Sequence, residues 1–437
     1  MIRLPPGPPR LGPLDFIQTA LISPAPVLRR LARKHGPTFR IGTSTGPITF
    51  TGDPEAIRAL YTADPDTFDV FGVEVTAPIF GTAGVTVTRG ERHRRDRKLI
   101  AAPFHAALRG YGAAIAAISA EVAGRWAPGR AFSMLDATQA IALDVIIRVV
   151  FSVEGTARVR AARNAIVRLI ESMSPLIFIF PQVRRELGGL GPWSRFLRAR
   201  EALDALLLEE IRARRGKTQG REDILSLLVA ARDDQGAGLG DAELLDQLRT
   251  LLFAGHETTA VALACALHAL HREPAALARV RAEIEALGPD PDPDALAALP
   301  YLDAVCQETL RLHPPVVDVG RVVRRPFALG GYTVPAGESI TASPLLLHGR
   351  EDLYPDPERF RPERFLERKP SPFEFIPFGG GARRCLGAAF AMMEMKVALG
   401  TLLRGRRLRI ASAAPVSHVR RGITLGPRGT VPMILEA

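Results

Sequence analysis

The longest regular pattern of apolar residues in the chain covers residues 241–272, which read DAELLDQLRTLLFAGHETTAVALACALHALHR. Apolar side chains recur there at helical spacing and occupy most faces of the predicted helix. A helix with so little polar surface is normally buried. The pattern therefore predicts one long helix through the middle of the fold.

Shorter patterns predict the remaining elements. Amphipathic spacing predicts helices over 25–36, 53–63, 272–287, 299–313 and 388–403, and most of 110–215 is helical in pattern. Alternating residues predict two short strands joined by a turn at 37–52, with further strands at 420–435. The fold class that follows is mainly α with small β-sheets (α+β).

Two apolar segments fit neither pattern. Residues 64–89 combine apolar side chains with many turn-forming residues, which predicts an irregular loop that lines a pocket. Residues 174–181, SPLIFIFP, form an apolar run between two predicted helices. That run is either ordinary core or a substrate entrance, and the sequence favours neither interpretation.

Charge and cysteine content exclude some classes of partner. The chain has 57 Lys and Arg against 46 Asp and Glu, a formal net charge of +11. The arginines are scattered, without a basic tail, so we expect no nucleic-acid partner. Three cysteines without paired spacing predict a reducing compartment. The Pro-rich segment 1–24 has no apolar run long enough for a membrane anchor, so we expect a cytoplasmic protein.

Cys385 lies in the stretch with the clearest chemistry, residues 377–396. Residues 379–381 are glycines, which let a backbone approach a large flat group. The predicted helix 388–403 follows the cysteine, and the positive end of its dipole favours thiolate over thiol. Arg383 adds a fixed cation that suits a carboxylate.

A thiolate in such a loop could be a nucleophile, a zinc ligand or an axial haem ligand. A zinc site needs three or four ligands at short spacings, and Cys265 and Cys306 have no CxxC or HxxxH neighbours. A nucleophile needs a base and an oxyanion hole, which the local sequence does not show. A single thiolate beside an arginine that can pair with a propionate suits haem iron.

The predicted long helix contains residues that helices usually avoid. Gly255 in mid-helix costs roughly 1 kcal/mol against alanine. Glu257 and Thr258 are costly to bury without partners. Several residues that disfavour a buried helix, placed so close together, indicate a functional site. His256 between them is interpreted as a surface or structural side chain rather than a ligand.

The glycine-rich loop resembles a known element. Phe378-x-x-Gly381-x-Arg383-x-Cys385-x-Gly387 resembles the haem-binding loop of the cytochrome P-450 superfamily, with every fixed position present. The sequence AGHETT at 254–259 resembles the same family's [AG]-G-x-[DE]-T-[TS] element.

A third element resembles the family's structural Glu-Arg-Arg triad. Glu308 and Arg311 lie three residues apart on a predicted apolar helix, and Arg364 follows downstream. The resemblance covers nearly the whole chain. It implies one cytochrome P-450 domain over 1–437, with a long central helix over the haem and a haem-thiolate loop near the C-terminus.

The resemblance implies a role for each matching residue. Cys385 would be the iron ligand, Thr258 and Glu257 would deliver protons, and Ala254 and Gly255 would flank the oxygen pocket. The other residues expected to hold the cofactor are His93, Arg97, Arg321, Phe378, Gly379, Arg383 and Gly387.

The basic segment 90–105 contributes two of those residues. His93 and Arg97 lie four residues apart, hence on one helical face, and the resemblance implies that they reach a propionate. The other cations, Arg94, Arg95 and Lys98, are expected to form an exposed face. A basic face beside the haem would suit an acidic electron donor.

The residues expected to contact substrate are all apolar. They are Phe68, Phe71, Val75, Ile79, Phe80, Val316, Val319, Ile423 and Leu425. No charged anchor stands among them, which favours terpenoid, steroid or fatty-acyl substrates. Burial in an ordinary core fits the loop residues of this set equally well.

The implied reaction is that of a haem-thiolate monooxygenase. Such an enzyme contains haem b and inserts one oxygen atom from O2 into a C–H bond or an alkene of a lipophilic molecule. Electrons come from NAD(P)H through a reductase and a ferredoxin or flavodoxin, and we expect a monomer. The alternatives are a peroxide-driven fatty-acid hydroxylase and a non-catalytic haem sensor or carrier. Neither alternative uses the acid–alcohol pair Glu257-Thr258.

Overall fold

The computed structural model describes residues 3–43, 46–107, 110–150, 153, 155–173, 177, 181–186, 188–217, 223–412, 414 and 416–436. Helices occupy most of these residues. The α-helices are α1 (Pro13–Ile17), α2 (Ala25–His35), α3 (Pro54–Thr62), α4 (Val73–Phe80), α5 (Gly90–Ala107), α6 (Gly112–Ala123), α7 (Met134–Val145), α8 (Thr156–Ser172), α9 (Gly191–Arg214), α10 (Ile224–Ala230), α11 (Asp241–Arg272), α12 (Pro274–Glu285), α13 (Pro293–Ala298), α14 (Pro300–Leu312), α15 (Pro344–Leu347), α16 (Arg364–Glu367) and α17 (Ala388–Leu403).

Short strands form four small sheets. The strands are β1 (Thr38–Thr43), β2 (Gly46–Thr51), β3 (Phe68–Val70), β4 (Ala131–Ser133), β5 (Val319–Val323), β6 (Phe327–Leu329), β7 (Tyr332–Val334), β8 (Ser339–Ala342), β9 (Leu408–Ile410), β10 (His418–Arg421), β11 (Thr424–Pro427) and β12 (Pro432–Leu435). The largest sheet has the order β1-β2-β8-β5-β3, in which β2 and β8 are parallel. The others are β4-β12-β9, β10-β11 and β6-β7.

The chain divides into two compact units. The first contains Met1–Phe71, Ser119–Gln139 and Thr258–Ala437, and includes every strand of the described residues. The second contains Gly72–Ile118 and Ala140–Glu257 and is helical in its described part. Helix α11 is continuous through the boundary after Glu257. The single-domain interpretation of the sequence stays a prediction.

The core of the first unit joins two helices to the largest sheet. Val27 and Leu28 of α2 are buried in one cluster with Phe39 of β1. Ile57 of α3 is buried in a second cluster with Ile340 of β8. Hydrophobic burial of roughly 2 kcal/mol per such side chain fixes both helices on the sheet.

The predicted fold class is confirmed. The structure is mainly helical with small sheets, and the segments predicted as helix at 25–36, 53–63 and 388–403 form α2, α3 and α17. Helix α3 begins where the sequence indicates, because the Asp53 side chain accepts a hydrogen bond from Ala56 N at 2.8 Å.

The irregular loop predicted over 64–89 is wrong in part, because residues Val73–Phe80 form helix α4. Pro78 lies inside that helix and cannot donate to the carbonyl of Glu74, four residues earlier. Arg184 Nη1 donates to that carbonyl instead, at 2.7 Å. Arg200 Nη1 donates to the Pro78 carbonyl at 2.9 Å. Long-range arginine contacts therefore support a helix that the local sequence disfavours.

The apolar run at 174–181 lies outside the described residues except for positions 177 and 181. Helix α11 is the one described helix that is long and apolar enough to cross a membrane. However, 67% of its most apolar window is buried inside the protein, as in a core helix.

Candidate functional site

The loop around Cys385 is set by backbone hydrogen bonds. The Cys385 N–H donates to the Phe378 carbonyl at 2.9 Å, and the Gly379 N–H donates to the Ile376 carbonyl at 3.0 Å. Gly379 and Gly381 have φ values of 62° and 64°, which favour glycine. The Cys385 side chain is exposed. The loop therefore presents the sulfur on a fixed backbone just before α17.

Two of the three loop glycines serve a purpose that the sequence does not indicate. A Cβ atom at Gly380 would lie 2.1 Å from Cδ2 of Tyr61, and one at Gly381 would lie 2.5 Å from the Tyr61 carbonyl oxygen. Both glycines thus make room for the end of α3. A Cβ at Gly379 would meet Val319 Cγ1 at 3.4 Å.

Tyr61 is a site residue that sequence reasoning missed, because no motif contains it. It is buried, and its hydroxyl has no hydrogen-bond partner among the described residues. Burial raises the pKa of Tyr61 to about 12, and the nearby positive charge of Arg321 partly opposes that shift. A buried hydroxyl without a partner, beside the loop, is suited to donate a hydrogen bond to an acceptor placed there.

Arg321 lies on β5, opposite Val70 of β3 and Ile340 of β8. Its Nη1 donates to the Gly320 carbonyl at 2.8 Å, and no carboxylate among the described residues forms an ion pair with it. Burial lowers the pKa of Arg321, because the cation loses water without gaining an anion. The guanidinium is therefore suited to bind an anionic group.

The AGHETT segment lies in α11, which is α-helical throughout. A Cβ at Gly255 would lie 3.1 Å from Cδ1 of Ile146, so this glycine permits close packing of α11 against Ile146. The side chains of Glu257 and Thr258 are half-buried, and Ala254 is exposed. His256 is buried, which excludes the surface interpretation and leaves the structural one.

After Thr258 the helix is buried on most faces. The Thr138 hydroxyl donates to the Ala260 carbonyl at 2.9 Å, which anchors the helix to α7. The helix therefore holds Thr258 on a rigid element.

On α5, His93 is buried and Arg97 is half-buried. Cationic residues of the same helix were expected to form an exposed face, and Arg94 is exposed. Arg95 instead pairs with Asp233 at 2.6 Å, and Lys98 pairs with Asp234 at 2.7 Å. The loop after α10 thus neutralises much of the predicted basic face.

The apolar residues predicted to contact substrate fall into two groups. Phe68 and Leu425 lie in core clusters, Ile79 and Phe80 are buried, and Phe80 packs edge-on against Phe253 with ring centroids 6.1 Å apart. The remaining residues are at least partly accessible: Phe71, Val75, Val316, Val319 and Ile423. The substrate contacts of both groups stay predictions, and core packing is the alternative for the first group.

The structure brings Glu308, Arg311 and Arg364 together. Arg311 donates to both Glu308 carboxylate oxygens, at 2.7 and 2.8 Å, and Arg364 Nε donates to Oε1 at 3.0 Å. All three side chains are buried. The Glu308 carboxylate also accepts from the Arg361 N–H at 2.9 Å. The network ties α14 to the segment that precedes the cysteine loop.

The same network extends to His348. Arg311 Nη1 donates to the His348 carbonyl at 2.9 Å, and His348 Nε2 accepts from the Ile376 N–H at 3.0 Å. Burial and the charge of Arg311 lower the pKa of His348 to about 3. His348 is thus a neutral structural acceptor.

Comparisons with known proteins agree with this geometry. The family model for cytochrome P450 matches residues 5–429. The chain is 36% identical over 446 residues to the Mycobacterium bovis protein assigned as cytochrome P450 135B1, covering 98% of this chain and 92% of that one. It is 36% identical over 405 residues to the Mycobacterium tuberculosis protein assigned as cytochrome P450 137, covering 91% and 83%.

Solved structures show the same fold. The structure titled retinoic acid bound cyanobacterial CYP120A1 is similar with a TM-score of 0.84 and 28% identity, covering 100% of both chains. The cytochrome P450DA heme domain has a TM-score of 0.86 at 22% identity, covering 100% of this chain and 97% of that one. The chain belongs to the cytochrome P450 family and is a haem-thiolate monooxygenase.

Proposed function

We propose that this monooxygenase binds haem b through Cys385 and oxidises a lipophilic small molecule. One oxygen atom from O2 enters a C–H bond or an alkene of that molecule. The observation that carries the proposal is the accessible Cys385 sulfur on a loop fixed by its own backbone. Cys265 and Cys306 are buried, so Cys385 is the one accessible cysteine in the described part of the chain.

The residues beside the loop suit a haem propionate. The Arg321 guanidinium lacks a carboxylate partner, and the Tyr61 hydroxyl lacks an acceptor, among the described residues. Both features are satisfied by a carboxylate placed near them. We assign Arg321 and Tyr61 to one propionate, with Arg383 on the loop. His93 and Arg97 keep the propionate role that the family resemblance implies.

When bound through a thiolate, haem iron supplies the activation of O2 and the transfer of one oxygen atom. The protein supplies protons and excludes water. The Thr258 hydroxyl holds a water molecule by hydrogen bonding, and the Glu257 carboxylate passes protons to it. Ala254 and Gly255 keep the place beside the oxygen pocket that the family resemblance implies, although a Cβ at Gly255 would lie 3.1 Å from Ile146 Cδ1. Apolar neighbours on α11 keep bulk water away from this pair.

The substrate class is inferred from the apolar lining. Val319 contacts the cysteine loop, and Phe71 lies against Gly320, where a Cβ would be 2.6 Å from Cγ of the ring. The similar cyanobacterial protein binds retinoic acid, an elongated isoprenoid. We therefore propose a terpenoid, steroid or fatty-acyl substrate. Electrons come from NAD(P)H through a reductase and a ferredoxin or flavodoxin, and the enzyme works in the cytoplasm.

The iron ligand is tested by spectroscopy of the purified haem protein. After reduction and addition of carbon monoxide, we expect the red-shifted Soret band of a sulfur-ligated haem. A folded, haem-loaded sample without that band would overturn the assignment of Cys385.

The substrate class is tested by titrating the same protein with a lipophilic library. Terpenoids, steroids and fatty acids should displace water from the haem and produce the low-to-high-spin shift. If only small charged compounds gave the shift, the substrate proposal would fail while the ligand assignment stood.

The proton-delivery role is tested with Thr258→Ala. We expect unchanged substrate binding but a loss of product per NAD(P)H of about tenfold or more, with the electrons recovered as peroxide, since positioned proton donors contribute about 10²–10⁴-fold. The neighbouring Thr259→Ala, at a buried position, serves as the control. Equal coupling in both variants and the wild type would contradict the role.

A further inference from the structure

Three metal-ligating side chains meet at a place that the haem chemistry does not use, and a fourth, His268, lies on one of the same elements. Cys265 and His268 lie one turn apart on α11, His313 follows the end of α14, and His418 begins β10. All four belong to the first unit. We call them the Cys265 cluster.

Three members of the cluster have ligand atoms close enough to share one ion. The sulfur of Cys265 and ring nitrogens of His313 and His418 all lie within 4.8 Å of one another. Cys265 Sγ and His418 Nε2 are 3.6 Å apart. Zinc–sulfur and zinc–nitrogen bonds of about 2.3 and 2.0 Å at a tetrahedral angle require a separation of about 3.5 Å. The spacing of Cys265 and His418 therefore matches a shared ion, and the His313 nitrogen lies within 4.8 Å of both ligand atoms.

The two imidazoles are arranged side by side. The rings of His313 and His418 have centroids 4.7 Å apart and planes 15° apart. Burial lowers the pKa of His313 well below its ordinary value and the pKa of His418 to about 4, and the charge of His268 lowers both further. A neutral imidazole carries the lone pair that a metal ion needs.

His268 lies one turn beyond Cys265 on the same helical face, but its ring nitrogens are not among the ligand atoms that lie within 4.8 Å of one another. Three protein ligands therefore define the candidate site.

The Cys265 thiol would be stabilised as a thiolate by a bound cation. Burial raises the pKa of Cys265 to about 12, because a thiolate there would lose its contact with water. A divalent ion removes that penalty and displaces the proton.

We propose that Cys265, His313 and His418 bind a zinc ion. One sulfur with two imidazole nitrogens is a donor set that suits zinc, and a water molecule would complete the tetrahedral shell. The proposal is independent of the haem function. It also differs from the zinc site that the sequence excluded around Cys385.

The ion would join three segments of the first unit. His418 lies on the hairpin β10–β11, where the Leu425 N–H donates to the Pro315 carbonyl at 2.8 Å. On the other side, a Cβ at Gly426 would lie 2.9 Å from Cγ2 of Val261 on α11. The hairpin is thus already packed on the helix, and zinc would lock it to His313, just ahead of Val316. A fixed hairpin in turn fixes the wall next to that candidate substrate residue.

The test is the metal content of the purified holoenzyme after equilibration with micromolar zinc and gel filtration. Elemental analysis counts zinc against haem iron in the same sample, and we expect a ratio near one. Cys265→Ala and His418→Gln should each lose most of the zinc while keeping iron. Cys306→Ala removes an equally buried cysteine outside the cluster, and should keep both metals.

The coordination shell is tested on the wild type, which removes any dependence on variants that fail to fold. X-ray absorption at the zinc edge does not detect iron, so haem does not interfere. We expect one sulfur at about 2.3 Å and nitrogens at about 2.0–2.1 Å. A shell without sulfur, or a zinc-to-iron ratio far below one, would overturn the proposal. Equal zinc in wild type, Cys265→Ala and His418→Gln would also overturn it, and would leave the cluster as a neutral polar core.

Discussion

The Glu308 network and the cysteine loop lie in the same unit, but the network buries its polar atoms whereas the loop exposes its sulfur. The network buries a carboxylate and two guanidiniums and gives the Glu308 oxygens protein donors. The loop leaves the Cys385 sulfur accessible and fixes only the backbone behind it. A buried charge network destabilises the fold when one partner is removed, whereas an accessible group on a fixed backbone is available for chemistry. Changes in the first region should affect folding, and changes in the second should affect function.

The largest effect on folding is expected from Glu308→Ala. This substitution leaves Arg311 and Arg364 buried without their shared carboxylate, which costs about 3–5 kcal/mol. We expect little folded holoprotein, measured as haem content per chain and as the midpoint of urea unfolding.

The matched control for that experiment is Glu358→Ala. Glu358 pairs with Arg29 at 2.7 Å on the surface, and such pairs contribute below about 1 kcal/mol. Normal yield and haem content of Glu308→Ala would show that the network is not structural.

Glu394 on α17 is a buried carboxyl whose Oε1 has no hydrogen-bond partner among the described residues. Burial raises its pKa from 4.5 to about 8. Between these two pH values the folded state keeps a proton that the unfolded state releases. The free energy of unfolding is therefore highest below about pH 4.5 and falls as the pH rises to about 8, by at most about 1.4 kcal/mol per pH unit.

Glu394→Gln should remove that slope without changing the volume of the side chain. Urea unfolding of the holoprotein at several pH values measures it, with the exposed Glu358→Gln as the control. A variant that loses stability as steeply as the wild type would show that another group titrates.

Gly380→Ala should have a smaller effect on folding. The new Cβ would lie 2.1 Å from Tyr61 Cδ2, and overpacking of this kind costs about 1–3 kcal/mol. Gly12→Ala is the control, since a Cβ there meets nothing within 4 Å. If both variants melted at the wild-type temperature, the close approach of Tyr61 to the loop would be wrong.

Cys385→Ala should have the smallest effect on folding and the largest on function. The sulfur is exposed, so its removal leaves no cavity, and the far-UV circular dichroism should be unchanged. The sulfur-ligated carbon monoxide band and the oxygenase activity should both be lost. A variant that kept the band would break the comparison on which the other predictions rest.

Much of this molecule could be predicted from its sequence because the relevant signals are local. The pattern at 241–272 predicted α11, and the loop motif around Cys385 indicated the family that the comparisons show. Helix α17 follows from its helix-forming residues with the bounds that the structure shows. In each case residues that are close together in the sequence determine the local structure.

The remaining features depend on contacts between distant residues. Arg184 and Arg200 support the helix around Pro78, which local propensity disfavours. Tyr61 approaches the loop glycines from an early helix, and no spacing rule connects them. His313 and His418 join Cys265 only in the fold, so the sequence showed no partners for that cysteine. Signals of this kind appear only when the chain is folded.

The contact between Tyr61 and the loop glycines means that the backbone of the cysteine loop rests on an element near the opposite end of the chain. Repacking α3 is therefore a way to shift that loop while every residue of its motif stays unchanged.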